Sequence, residues 1–153
     1  MDKQKELKRS VVAAALRKLN EHLAEYRERM DDLRSVTVDT EMAETASQTE
    51  GRRDADIELM NTIGGKIQQV QHEMELLDQV DTEALVDTVQ FGSVVVTDKH
   101  HLLIATSVDE FEVNGTSYLG LSTRSPLYQA LAGKKAGDAS EVNGVKHSVV
   151  SVH

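Results

Sequence analysis

The sequence predicts an α+β chain, a long antiparallel coiled-coil hairpin followed by a small antiparallel β-sheet domain with one short helix. Three observations carry this expectation. Apolar residues recur at alternating spacings of three and four over residues 12–33 and again over 60–77. That period stops near Gln79, and short β-branched runs separated by Asn-Gly pairs take over. Four of the five aromatic residues (Phe91, Phe111, Tyr118 and Tyr128) follow residue 90, with Tyr26 alone before it, so the first half must be held together by aliphatic side chains.

The first seam runs Val12, Leu16, Leu19, Leu23, Tyr26, Met30 and Leu33, the a/d repeat of a coiled coil. Glutamate, lysine and arginine fill the positions between, as a solvated helix face requires. The second seam is Met60, Ile63, Ile67, Val70, Met74 and Leu77, interrupted by Gly64 and Gly65. Each glycine costs a helix interior about 1 kcal/mol relative to alanine, so the pair marks a close helix approach or a soft point. Folding the chain back buries both seams in one monomer. Val12 then meets Leu77, Leu33 meets Asp56 and Ile57, and the midpoint falls near residues 44–45. A helix from about residue 5 to the low forties would be about 55–60 Å long. A parallel dimer is the alternative, but two seams of similar length flanking one polar break favour the hairpin.

Between the seams, Ser47, Thr49 and Gly51 suit a turn with caps. Asp39, Glu41, Glu44, Glu50, Asp54 and Asp56 would then gather at the far tip, as a solvated loop or as carboxylates delivered to a distant cation. The charge is concentrated there. The chain carries 17 basic and 26 acidic residues, for a net −9, and residues 38–58 hold seven acids against Arg52 and Arg53. The expected organisation is a coiled coil over 1–78 with its acidic tip near 39–56, a linker over 79–88, and a second domain over 89–153.

In the second domain, Val94-Val95-Val96 and Leu102-Leu103-Ile104 read as strands joined by a turn at Asp98-Lys99-His100. Further strands are expected over Thr116–Leu121, Ala139–Val142 and Val145–Val152, with Asn114-Gly115 and Asn143-Gly144 as hairpin turns. That makes about five strands. One helix interrupts them: Ser125 suits its N-cap, Pro126 its first position, Gly133 the site just past its end, and Leu127, Ala130 and Leu131 its apolar face.

Composition narrows the function. An acidic chain without clustered lysine and arginine is a poor independent binder of DNA or RNA, because it has few cations to release phosphate counterions. The absence of cysteine excludes disulfides, thiolate nucleophiles and cysteine-ligated zinc. No stretch approaches the roughly 18 apolar residues of a membrane span, and Met1–Ser10 is charged where a signal peptide is apolar. A cytoplasmic protein is expected. The six histidines (22, 72, 100, 101, 147 and 153) show no metal-binding spacing with acidic partners.

The stretch Ser125-Pro126-Leu127-Tyr128-Gln129-Ala130-Leu131-Ala132-Gly133-Lys134-Lys135-Ala136-Gly137-Asp138 resembles the signature of the GreA/GreB transcript-cleavage factors. That family has a Ser-Pro-hydrophobic start, an Ala-Leu pair, Gly-Lys and then Gly-Asp leading into the last two strands. Phe91-Gly92-Ser93-Val94-Val95 is similar to the family's first strand and Val149–Val152 to its last. The specific likeness covers about residues 89–152, and the order of coiled coil then sheet extends it over nearly the whole chain.

The resemblance implies an FKBP-like second domain that docks on the rim of the secondary channel of bacterial RNA polymerase, through Ser125, Pro126 and Leu127. The coiled coil would enter the channel as an accessory factor with no catalysis of its own. Its tip carboxylates, Glu44 and Glu50 foremost, would share the polymerase's Mg2+, a hard cation that takes oxygen ligands. Asp39 and Glu41 complete the candidate set. The tip departs from the family's Asp-x-x-Glu-Asn-Ala-Glu-Tyr pattern: aligned without gaps on Gly65-Lys66-Ile67, the acidic pair falls on Ala46 and Thr49. Three roles follow: a regulator that stimulates cleavage of backtracked RNA, a channel binder that inhibits, or a coiled-coil or chaperone-like module unrelated to polymerase. An FKBP-like fold also suggests prolyl isomerisation, but four aromatics hardly suffice for both a core and a proline pocket.

Overall fold

The computed structural model describes residues 2–43 and 46–153, and the side chains of 2–35 and 54–153. Two long helices, α1 (Asp2–Ala43) and α2 (Ala46–Asp78), precede six strands: β1 (Val94–Thr97), β2 (His101–Ala105), β3 (Val108–Val113), β4 (Thr116–Ser122), β5 (Ala139–Val142) and β6 (Val145–Val152). A short helix, α3 (Pro126–Leu131), lies between β4 and β5. The fold is α+β. Ser47, Thr49 and Gly51, expected in a turn, instead lie within α2; helix propensity is a weak prior that neighbouring structure overrides.

The chain divides into two compact units, residues 20–72 and residues 1–19 with 73–153. In the first, the helices run antiparallel: Gly64 faces the Met30 methyl, and the Lys66 ammonium sits 5.7 Å from the centre of the Tyr26 ring. Leu23, Met30, Ile63 and Val70 are buried there, all of them seam positions. Gly64 and Gly65 pass through α2 without interrupting it. A Cβ on Gly64 would make ordinary contact with Met30 at 3.8 Å, and one on Gly65 would meet nothing within 4 Å.

In the second unit the start of α1 is buried over a wider arc, comprising Lys8, Val11, Val12, Ala14, Ala15 and Leu19. Lys8 is 1% exposed, and its ammonium donates to the Ala84 carbonyl at 2.7 Å. Burial holds this lysine below its ordinary pKa, an effect the negative charge of Asp81 partly offsets. Nearby on the surface, Arg9 bonds Glu83 at 2.9 Å. His153 is 8% exposed and extends the β6 ladder by exchanging both backbone bonds with Val94.

The strand order is β3-β4-β2-β1-β6-β5. Two features differ from the sequence expectation: the described residues form a sheet of six strands rather than about five, and β2 pairs with β4 in parallel. The extra strand, β3, pairs with β4 across the Asn114-Gly115 turn. Its apolar residues Val108, Phe111 and Val113 are spaced three and then two, because the register shifts between Val108 and Phe111. A bulge inserts a residue and so hides the period of two. Both Asn-Gly pairs have positive φ at each residue, the geometry of a type I′ hairpin turn.

Gly120 allows this order. A Cβ there would lie 2.5 Å from the Thr106 carbonyl oxygen and 2.6 Å from Val108 Cβ, so the β2–β3 connection passes directly over the end of β4. One face of the sheet then carries Val95, Leu102, Ile104 and Val149, which pack with Val89 and with Leu131 of α3. Leu119, Leu121, Leu127, Tyr128 and Val152 close around them. A second register shift, between Val96 and Thr97 on β1, leaves Val150 on β6 58% exposed while Val149 stays buried.

Two tests follow. Gly65→Ala is expected to stabilise the chain by about 0.5–1 kcal/mol, since the methyl enters open space in a helix. Gly120→Ala is expected to destabilise it by about 1–3 kcal/mol through overpacking; urea midpoints read both. Burial, and secondarily the charge of Lys8, lower the pKa of His153 below 6.5. The unfolded chain therefore takes up this proton first as pH falls through 6.5, and stability is lost below that value. Melting curves from pH 7 to 5 should show a decline that is shallower in His153→Gln, the difference not exceeding about 1.4 kcal/mol per pH unit.

Candidate functional site

The candidate site is the start of α3 and the strand ends beside it. Ser125 adopts extended backbone, its hydroxyl accepts from the Tyr128 amide at 3.2 Å, and Pro126 occupies the first helical turn. An N-cap needs such an oxygen, because the first amides of a helix have no intrahelical partner. The Ser125 amide donates to the Ser122 carbonyl at 3.0 Å, which ties the cap to the end of β4. Pro126 is exposed, Ser125 and Leu127 are half-buried, and Leu127 packs against the core and seats the helix.

The rest of the signature is structural in detail. Gly133 has φ +77° just past the helix, and its amide reaches the Val89 carbonyl at 2.8 Å. The Lys134 carbonyl receives the Val89 amide in return, at 2.8 Å. Gly137 has φ +95° and donates to the Val149 carbonyl, while the Asp138 carboxylate accepts from the Lys135 amide at 3.0 Å. Glycine and aspartate at these positions thus turn the chain from α3 into β5.

A second turn adjoins this end of the sheet. The Ser93 amide donates to the Gln90 carbonyl, with Phe91 and then Gly92 at the corner, and Gly92 has φ +88° as a type II turn requires. The fully buried Ser93 hydroxyl both donates to the Gln90 carbonyl at 2.6 Å and accepts from the Gln90 amide at 3.2 Å. The Gly92 amide bonds the Ile104 carbonyl at 2.6 Å.

Asp39, Glu41, Glu44 and Glu50 have side chains outside the described residues. Among the described residues, no group of three or more histidine, aspartate or glutamate side chains is placed to hold a metal ion. His100 stacks on His147 at 6.1 Å, and His101 meets the edge of Tyr118 at 5.3 Å. A cleft of about 580 Å³ at the opposite end of the sheet includes Lys99, His100, Glu110 and Ser117 in its lining. Lys99 is engaged there by the Asp98 carboxylate and the Lys146 carbonyl, and Ser117 donates to Glu110. Among the described residues, no helix is long and apolar enough to cross a membrane.

The sequence offers Arg124, with Lys134 and Lys135, as a cation that could pair with an acidic partner surface, but does not single out Phe91 as a site residue. The signal for Phe91 was present in the turn-forming glycine after it, but its exposure depends on the buried Ser93 behind it.

No protein-family model matches the chain, and no curated protein matches it. Among solved structures, one of the transcription factor Gfh1 is similar over 92% of this chain and 94% of that chain, at 17% sequence identity and a TM-score of 0.37.

Ser125→Ala is expected to cost about 1 kcal/mol through loss of the cap, and Ser125→Asp to restore most of it, both read by thermal melts.

Proposed function

We propose that the chain is a transcription elongation regulator that binds bacterial RNA polymerase at its secondary channel and acts on the active site through its acidic segment. One observation supports this most. The stretch Ser125–Asp138, which resembles the signature of the GreA/GreB factors, has each part in a definite structural role and follows two long helices, the order that family uses. Docking is assigned to Ser125 and Pro126, with Leu127 seating the helix that presents them. The FKBP-like character of the domain belongs to the same proposal.

The chain supplies no chemistry of its own in this reading. Asp39, Glu41, Glu44 and Glu50 supply carboxylate oxygens, and the magnesium belongs to the polymerase. A pair of long helices suits such a task, because positioning a charged group in advance lowers the entropic cost of using it. A second reading, channel occupancy that inhibits without cleavage, is favoured by Ala46 and Thr49 at the positions where the family carries its acidic pair.

Immobilised core polymerase is expected to retain the full chain at low salt; no retention would sink the proposal. With stalled, backtracked complexes, shortening of the RNA marks a cleavage factor, and slowed extension without shortening marks an inhibitor. Replacing Asp39 by Asn and Glu41, Glu44 and Glu50 by Gln together should abolish either effect while binding persists. An effect that survives overturns the carboxylate assignment.

A further inference from the structure

The end of the sheet that carries Ser125 and Pro126 also carries the turn of Phe91, and the backbone bonds establish the proximity. The Gly92 amide is bonded to Ile104 of β2, and Ala105 of β2 is paired with Ser122 of β4. Ser122 in turn accepts the amides of Ser125, through its carbonyl, and of Arg124, through its hydroxyl. Gly92 and Ser122, from which the Phe91 turn and the α3 cap project, thus lie two strand spacings apart, about 10 Å.

Phe91 is 36% exposed at the corner of a turn braced by three bonds between Gln90 and Ser93. An aromatic held outward on rigid backbone loses little conformational freedom on binding. Arg124 is exposed between Ser122 and the cap, with no ion pair among the described residues. Residues 90–93, 105–107 and 122–126, at this end, contain no aspartate or glutamate in a chain that has 26. The opposite end, around Asp98, Lys99 and Glu110, is rich in both signs of charge. Depletion of charge around an aromatic and an arginine is the composition of an interface core, and those two residue types supply most hot spots.

We propose that Phe91 and Arg124 form one docking surface with Ser125 and Pro126, with Phe91 as its apolar anchor. The surface fits a polymerase patch that offers an apolar hollow rimmed by carboxylates. This rests on the reading that the chain binds core polymerase, and it adds the residues that dominate the contact and the sign of the partner's charge.

The experiment measures dissociation constants of the full-length chain and its variants on immobilised core polymerase across a salt series. Phe91→Ser should weaken binding about 30-fold, the size of a hot-spot loss, and Phe91→Leu should recover part of it. Arg124→Glu should weaken binding and flatten its salt dependence. Val145→Ser, at an exposed apolar position in the β5–β6 hairpin, should stay within about twofold of wild type. Urea midpoints confirm folding, and the exposed Arg124 variant keeps the test decisive if Phe91→Ser unfolds. Wild-type binding unchanged by both Phe91→Ser and Arg124→Glu, or weakened equally by Val145→Ser, overturns the surface and leaves the polymerase reading standing. No binding by the wild-type chain overturns that reading and this one together.

Discussion

The close approach of the Thr106 carbonyl to Gly120 organises the second half of the chain. A side chain at Gly120 would meet backbone, which cannot rotate away, so the β2–β3 connection could cross the end of β4 only by shifting outward, at a cost in stability. Without that crossing β3 could not take the outer position, and β4 could not pair in parallel with β2. The consequence reaches the candidate site. Parallel pairing brings the end of β4, and the α3 cap that follows it, to the same end of the sheet as the turn bonded to Ile104. The Phe91 turn and the Ser125 cap, far apart in sequence, thus project from the same end of the sheet.

The long helices follow a different logic. In the unit of residues 20–72 burial follows the heptad seams, as expected where two helices are the main source of apolar contact. At the start of α1 burial spreads beyond the seam to Lys8, Val11 and Ala14, and small alanines replace leucines. The Lys8 ammonium is desolvated there, with a backbone carbonyl as its bonded partner and Asp81 as its counter-charge. A buried ammonium left without these groups would be costly, so the segment around Asp81–Ala84 is constrained by a charge as well as by packing.

Net charge also has a spatial meaning. The net −9 argues against nucleic acid, yet residues 90–93, 105–107 and 122–126 hold no carboxylate, whereas residues 38–58 hold seven. In the proposed function these two stretches have opposite duties. One must come close to a protein surface, where unpaired carboxylates would be costly to desolvate. The other must present oxygen to a cation.

Local signals were legible from the residues alone. The seams, both Asn-Gly turns, the Ser125 cap with Pro126, and Gly133 each express a preference that acts within a few residues, through helix periodicity, positive φ or an orphan amide. The strand at Val108–Val113 escaped because a bulge removes its period, and the edge position of that strand leaves Asp109, Glu110 and Glu112 in solvent. The parallel pairing, the burial of Lys8 and the placing of the Phe91 turn and the Ser125 cap at one end of the sheet depend on contacts between distant segments. Sequence spacing carries no record of such contacts; they exist only once Gly120 lets one connection cross another strand and the helix base closes on Ala84.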